Sequence, residues 1–332
     1  KYSGASFKAP EKRVILSTTP LLDSVLLKAR ALMHNILSDF DEEEFFDSCR
    51  HGPGTTVGVK FDDTSLEAKF TLPISITARV APMMDRYMLH DFQCAAAVKD
   101  FNRDNPLTDM YSIVKGSRAT PVEKNDEIRR MIAVEPTGNM FFQQGLMVMM
   151  YKRMKLFGLD VENLPDEHKV RARISSITSK EATIDWSSAS DCLSRDLLRW
   201  LMPPKWFWYA DLIRSETMEI NGAQVKLNMF STMGNAVTFP LETLVFFVLG
   251  HALLSHRSGS RSWFLEWDHD YKAISVFGDD CIVPTDMAED YITVLNQVGF
   301  LINREKSFYR DMDAGFRESC GGDYLHGYDV RP

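Results

Sequence analysis

Residues 236–254 form an almost unbroken apolar run, AVTFPLETLVFFVLGHALL. As a helix it is close to the length that spans a bilayer. Pro240, Glu242 and His251 interrupt it, and no basic cluster flanks its start. It therefore reads as a helix buried in a protein core rather than in lipid. A helix apolar on all sides needs partners around its whole circumference. The 332 residues supply enough chain for about two domains.

Composition agrees with a globular chain: 45% of residues are hydrophobic and 25% charged. This excludes a disordered tail, a collagen-like repeat and a small disulfide-stapled scaffold. Lys and Arg number 38 against 46 Asp and Glu, a net charge of −8, which argues against a nucleic-acid binder held by a global positive field. Bases do cluster locally, around 115–130, 169–180 and 256–261, and these predict a basic channel on an acidic protein. Cys49, Cys94, Cys192, Cys281 and Cys320 are odd in number and contain no CxxC pair, as expected in a reducing compartment. Lys1 opens a polar stretch with no signal peptide, and the missing initiator Met suggests a cut chain.

In the first half, spacing predicts a helix over 21–37 capped by Thr19 or Asp23, and a solvated acidic helix face at 41–47. A loop follows at His51-Gly52-Pro53-Gly54-Thr55-Thr56, then one long helix over 82–101. Residues 108–135 read as strands and loops bearing Lys115, Arg118, Lys124, Arg129 and Arg130, and 139–157 as a helix. In the second half a strand is expected at 182–186, a helix over 189–202 stopped by Pro203-Pro204, and a hairpin around Asn221-Gly222. The apolar helix covers 233–256, a second hairpin surrounds Gly278-Asp279-Asp280, and a helix spans 288–298. Short strands follow near Ser307, Phe316 and Tyr324. Strands with helices on one face indicate an α+β fold, with a boundary near residue 180. The aromatic stretch Trp206-Phe207-Trp208-Tyr209 reads as core rather than as a base-stacking platform, and no His is assigned as a ligand.

Three motifs could carry chemistry. Phe277-Gly278-Asp279-Asp280-Cys281 puts two adjacent carboxylates at a tight turn between apolar strands, a charge density that a hard divalent cation would neutralise. Thr183-Ile184-Asp185 ends a strand in a carboxylate, and Asp191 lies just beyond it in Ser187-Ser188-Ala189-Ser190-Asp191. Ser231-Thr232-Met233-Gly234-Asn235 is a small, polar loop feeding the apolar helix, suited to a phosphate or a ribose. Each has a plainer reading alone: an exposed hairpin turn, helix-capping acids and an N-cap. Their order is what a template-directed nucleotidyl transferase needs, with one strand and one hairpin bringing three carboxylates around two metal ions.

These motifs resemble those of the levivirus RNA-directed RNA polymerases, the catalytic β subunits of Qβ-like RNA bacteriophage replicases. Glu135-Pro136, Asn139-Met140-Phe141-Phe142-Gln143, His51-Gly52-Pro53-Gly54, Phe316-Arg317-Glu318-Ser319-Cys320-Gly321 and Gly327-Tyr328-Asp329-Val330 extend the likeness over roughly residues 50–332. The resemblance implies a right-hand polymerase with mostly helical and irregular fingers at 1–180. An antiparallel palm sheet with packed helices would follow at 181–332, with the family's thumb missing from this sequence. It implies replication of a single-stranded phage RNA genome in the cytoplasm of an infected bacterium, with no membrane. Asp185, Asp279 and Asp280 would hold two Mg²⁺ ions, with Mn²⁺ as the alternative metal. Lys306 would protonate the leaving pyrophosphate. Lys124, Arg129 and Arg130 would neutralise the triphosphate, although Glu127 stands where another base is expected. Asp191, Ser231, Gly234 and Asn235 would contact the nucleotide, and the small Ser190 would leave room for a 2′-hydroxyl. Template RNA and nucleoside triphosphates are the implied ligands, and host translation elongation factors and a ribosomal protein the implied partners. A reverse transcriptase and a non-catalytic, polymerase-derived RNA-binding protein are the alternatives.

Overall fold

The computed structural model describes residues 19–59, 62–103, 109–123, 129–259, 273–310, 313 and 315–331. They form a mixed α+β architecture in two compact units. The first comprises the chain up to Ser38, Tyr151–Pro203 and Phe239–Pro332; the second comprises Asp39–Met150 and Pro204–Thr238.

Helix α1 (Pro20–Leu37) starts at Thr19, whose Oγ1 accepts from the Leu22 amide at 3.2 Å, and Pro20 presets its first turn. Leu22, Val25, Ala29, Leu32, Met33 and Ile36 recur three or four apart and are buried. Helix α2 (Glu42–Ser48) is capped by Asp41, whose carboxylate accepts from the Glu43 and Glu44 amides. The acidic run thus sits in the favourable field of a helix N-terminus, with Phe45 and Phe46 buried behind it. After α3 (Leu66–Phe70) and β1 (Ile74–Thr77), two helices stand where spacing predicts one: α4 (Ala81–His90) and α5 (Phe92–Phe101). Asp91 breaks the helical dihedrals at φ −110°, ψ 88° and caps the second helix, its Oδ1 accepting from the Cys94 amide at 2.9 Å. Apolar spacing is blind to such a break, because an Asp reads equally well as a solvent-facing helical residue.

Strand β2 (Tyr111–Val114) pairs in parallel with β1. Strands β3 (Ser117–Glu123) and β4 (Arg129–Val134) are antiparallel and lead into α6 (Thr137–Lys155) and α7 (Leu164–Thr178). Then come β5 (Glu181–Ile184), β6 (Trp186–Ser187), α8 (Ala189–Cys192) and α9 (Arg195–Leu201). Here too one predicted helix is two. Leu193 is extended, and Ser194 caps α9 by accepting from the Leu197 amide at 3.1 Å. In α10 (Pro204–Ile213), Trp206, Phe207 and Tyr209 are core residues as expected, while Trp208 is 52% exposed. Strands β7 (Thr217–Ile220) and β8 (Ala223–Lys226) flank Asn221 and Gly222 at φ 51° and 80°, the left-handed pair that a two-residue hairpin turn requires. Strand β7 also pairs with β3, giving a sheet of order β4-β3-β7-β8 in the second unit.

The apolar run becomes α11 (Thr238–Arg257). Its most apolar window is 89% buried within the protein, and Leu244 to Leu249 are at most 1% exposed. Each such side chain contributes about 1.5–3 kcal/mol relative to exposure. Phe246 stacks on Trp186 at 5.5 Å and meets Phe300 edge-on at 4.6 Å. Strands β9 (Ser275–Phe277) and β10 (Asp280–Pro284) join β5 in an antiparallel sheet of order β5-β10-β9. Helix α12 (Ala288–Gln297) and the strands β11 (Leu301–Ile302), β12 (Phe316–Ser319), β13 (Gly322–Leu325) and β14 (Tyr328–Asp329) complete the first unit. Fully buried His168 of α7 ties two of these sheets together, with Nδ1 2.9 Å from Ser319 Oγ and Nε2 2.8 Å from Ser275 Oγ.

Candidate active site

Asp185 occupies the step between β5 and β6, and its backbone is pinned on both sides. Its amide donates to Ser307 Oγ at 3.1 Å, and its carbonyl accepts from the Asn303 amide at 2.9 Å. Asn303 Nδ2 also donates to Asp185 Oδ2 at 2.6 Å, which orients the carboxylate. The partner acids come from the β9–β10 hairpin. Phe277 pairs with Asp280, so only Gly278 and Asp279 form the turn, and Asp280 is already the first residue of β10. Cys281 pairs with Ile184; one step further along that register Asp280 lies opposite Asp185.

The turn is held from behind by the first turns of α11. The Gly278 amide donates to Thr243 Oγ1 at 3.0 Å, and Gly278 stands at φ +62°, where a Cβ would meet the Phe239 ring at 2.8 Å. Glycine is the residue that satisfies both the dihedral and the close approach.

Electrostatics confirm the crowding. Burial, and then the neighbouring Asp279, push Asp185 up to about 6. Burial, and then Asp279 and Asp185, push Asp280 up to about 7, while donors on Cys320 pull the other way. Glu242 of α11 faces the same group and is pushed up to about 8 by burial and by Asp279, Asp191 and Asp185. Carboxylates crowded in this way make a negative charge density that a cation would neutralise. Among the described residues, no three acid, imidazole or thiolate groups are gathered tightly enough to close a metal's coordination by themselves. The donor chemistry nevertheless fits a hard divalent ion: aspartate oxygens at one sheet edge, with Asp279 open to solvent for further ligands.

Lys306 donates to Glu318 Oε1 at 2.8 Å, and that partner raises its pKa; its charge also bears on Asp185 and Asp280. Ser190 is small and nearly buried, while Asp191 next to it is exposed.

The remaining candidates belong to the second unit. In the loop of Ser231 to Asn235, the Ala133 amide donates to the Met233 carbonyl at 2.7 Å, strapping the loop to β4. Gly234 has φ +112°, and a Cβ there would lie 2.1 Å from the Ala133 carbonyl oxygen. The helix predicted from 233 starts only at Thr238, and just before it Asn235 Oδ1 accepts from the Val237 amide at 3.0 Å. Ser231 Oγ, Thr232 Oγ1 and Asn235 Nδ2 are buried without a hydrogen-bond partner among the described residues. Gly234 also borders a cavity of about 870 Å³ with Gly52, Gly54, Arg118, Thr120 and Gln144. Arg129 and Arg130 are exposed at the start of β4, Arg129 within 3.7 Å of Glu123. Lys124 and Glu127 lie outside the described residues.

Of the basic clusters, that at 169–180 is largely engaged: Arg171 pairs with Glu181, Lys169 with Asp166, and Arg173 donates to the Gly327 carbonyl. Arg257 likewise bridges Asp286 and Asp290. Within the clusters, Lys115, Arg118, Arg130 and Lys180 are exposed bases without a recorded side-chain partner among the described residues. Asn303, Ser307, Cys320 and Glu242 were not singled out as site residues from the sequence. Asn303 and Ser307 flank Lys306 in one short run, and Glu242 is the lone acid in the apolar helix, a signal that charge patterning offered.

The family profile described as RNA replicase, beta-chain, matches residues 9–332. The RNA-directed RNA polymerase beta chain of Enterobacteria phage fr is 31% identical over 313 residues, 93% of this chain and 53% of that protein. The corresponding subunit of Enterobacteria phage SP is 37% identical over 285 residues, 86% of this chain and 45% of that protein. The chain thus spans about half the length of the curated relatives it matches. Among solved structures, the BmCPV RNA-dependent RNA polymerase at elongation state superposes with a TM-score of 0.51 at 12% identity, covering 94% of this chain and 29% of that one, a likeness of fold. By sequence over nearly its whole length, the chain belongs to the RNA replicase β-chain family.

Proposed function

We propose that this chain carries the catalytic centre of an RNA-directed RNA polymerase that replicates a single-stranded phage RNA genome by two-metal-ion nucleotidyl transfer. The observation that carries the reading is the pairing of β10 with β5, which sets Asp280 opposite Asp185, with Asp279 in the turn that leads into β10. In this reading the palm lies within 181–332 and the fingers within 1–180.

Asp185, Asp279 and Asp280 would hold the two divalent ions, Mg²⁺ or Mn²⁺. When bound, such ions lower the pKa of a 3′-hydroxyl and neutralise charge on a triphosphate. The chain's own residues do the rest. Asn303 holds one carboxylate oxygen of Asp185 and Ser307 its amide, while among the described residues no hydrogen bond is recorded on the other carboxylate oxygen. Lys306 is the proposed donor to the leaving pyrophosphate, and must leave Glu318 to act; general-acid help of this kind is worth about 10²–10⁴-fold. Arg129 and Arg130, with Lys124, are proposed to meet triphosphate charge. Ser231, Gly234 and Asn235 are proposed nucleotide contacts, supported by their unpartnered buried polar atoms and by the adjoining cavity. Template RNA and ribonucleoside triphosphates are the proposed substrates. Host translation elongation factors and a ribosomal protein are the proposed partners, in the cytoplasm of an infected bacterium.

The small Ser190 favours ribonucleotides over the reverse-transcriptase alternative, since no bulky side chain stands at that position. The test is nucleotide incorporation on an RNA template with Mg²⁺ by the full-length protein. Asp279→Ala should abolish incorporation while leaving the circular dichroism spectrum and melting temperature intact, because Asp279 is exposed in a turn. Full activity in that variant refutes the metal assignment.

A further inference from the structure

Of the aromatic run Trp206-Phe207-Trp208-Tyr209, three side chains are core and Trp208 is not: it is 52% exposed on α10. Lys205 precedes it by three residues and so shares its helix face. Lys205 is exposed, with no recorded side-chain partner among the described residues. Both residues border a cavity of about 390 Å³ within the second unit, which Phe40, Tyr209, Glu42 and Arg86 also line. That volume lies at the small end of the range for small-ligand pockets, about 300–1,000 Å³. The lining is fixed by its own contacts. Phe40 stacks on Tyr209 at 4.2 Å, and the Trp208 ring meets Tyr209 edge-on at 4.7 Å. Glu42 Oε1 accepts from the Tyr209 hydroxyl at 2.6 Å and pairs with Arg86 at 2.7 Å.

This lining selects a ligand by its chemistry. A half-exposed indole beside a cavity offers a rigid, flat surface that another planar ring can cover. The one acid of the lining already holds a hydroxyl donor and a guanidinium, so it is not left to bind a cation. Lys205 is the charge left over, and it calls for an anion. A planar ring joined to an anion is a nucleotide unit. Asp41 and Glu43, exposed on either side of Glu42 in the sequence, oppose a long run of phosphates, so the site suits one nucleotide rather than a tract. Bases within a duplex are stacked on both faces and have none to give. We propose, building on the polymerase reading, that Trp208 and Lys205 anchor one unpaired nucleotide of single-stranded RNA, its base on the Trp208 indole and its phosphate on the Lys205 ammonium. The anchor shares no residue with the groups proposed to hold metal or the incoming triphosphate. Its work is retention of template.

The test measures binding of a short, unstructured, fluorescein-labelled RNA by anisotropy, in the full-length protein and its variants. Trp208→Ala should weaken binding by about 5- to 100-fold, the range for removing one base–aromatic stack. Trp208→Phe, which keeps a ring, should restore most of it. Lys205→Ala, at an exposed position, should weaken binding and reduce the slope of log affinity against log salt by about 0.7, the share of one phosphate on a single strand. In all three variants kcat at saturating template should match wild type while KM for template rises. If Trp208→Ala does not fold, Lys205→Ala carries the same expectation. Unchanged RNA affinity overturns the proposal. So does ATP binding weakened as strongly as RNA binding, which would make free nucleotide the occupant. So does intact RNA affinity with loss of a bound protein, which would make this face a protein-docking surface. A wild-type protein that binds RNA but incorporates no nucleotide refutes the polymerase reading itself, a separate outcome.

Discussion

His168 offers a sharp test of how the first unit is held together. Its ring is fully buried, and each nitrogen meets a serine hydroxyl, Ser275 on β9 and Ser319 at the end of β12. A neutral imidazole satisfies this geometry, one nitrogen donating and the other accepting. Protonation removes the acceptor and places a charge in the core. Burial, and then the Arg171 charge, accordingly lower its pKa from 6.5 to about 3. The folded form therefore binds fewer protons than the unfolded chain between those two values. Its contribution is complete above pH 6.5 and is lost progressively as pH falls toward 3. At pH 5 the unfolded chain gains about 1.5 pH units of protonation free energy that the folded chain does not, or ~2 kcal/mol. Urea unfolding at pH 7.5 and pH 5 measures this directly. His168→Gln keeps polar atoms near both serines and cannot titrate; it should be less stable at pH 7.5 and should lose ~2 kcal/mol less than wild type on acidification. Parallel losses in the two proteins would refute the reasoning, since the acid sensitivity would then come from other groups.

Three further outcomes follow from the same geometry. Asn303→Ala removes the side chain that orients Asp185, and should lower kcat by about 10- to 100-fold with an unchanged melting curve, read by single-turnover incorporation. Gly278→Ala places a Cβ at φ +62° against the Phe239 ring and should destabilise the protein by about 1–2 kcal/mol in urea unfolding. Glu135, fully buried with Ser215 donating to it at 2.6 Å, is pushed up to about 7 by burial. As a raised carboxyl it loses stability when pH rises from 4.5 through 7, and Glu135→Gln should flatten that slope in pH-dependent denaturation.

The elements that spacing located well are those whose burial is continuous along the chain. Helices α1, α6 and α12 and both hairpins fall close to where apolar periodicity and the Asn-Gly and Gly-Asp turns put them. The two helices that turned out double were broken at Asp91 and at Leu193-Ser194 by capping hydrogen bonds, which are side-chain events inside an uninterrupted polar and apolar pattern. Basic clusters were legible as clusters, yet Arg171 and Arg257 are occupied by acids distant in sequence.

The burial of residues 236–254, the candidate acids Asp185, Asp279 and Asp280, and the order of motifs shared with the family are legible in the sequence alone. Those are properties of residue type and local spacing. Contacts between distant segments make Asp280 a strand residue opposite Asp185, put Asn303 and Ser307 around Asp185, and bring Glu242 from a helix under the influence of Asp279 and Asp185. Each depends on register or on contacts between segments about 40 to 120 residues apart, because hydrogen bonds and charges act through space and leave no trace in local pattern.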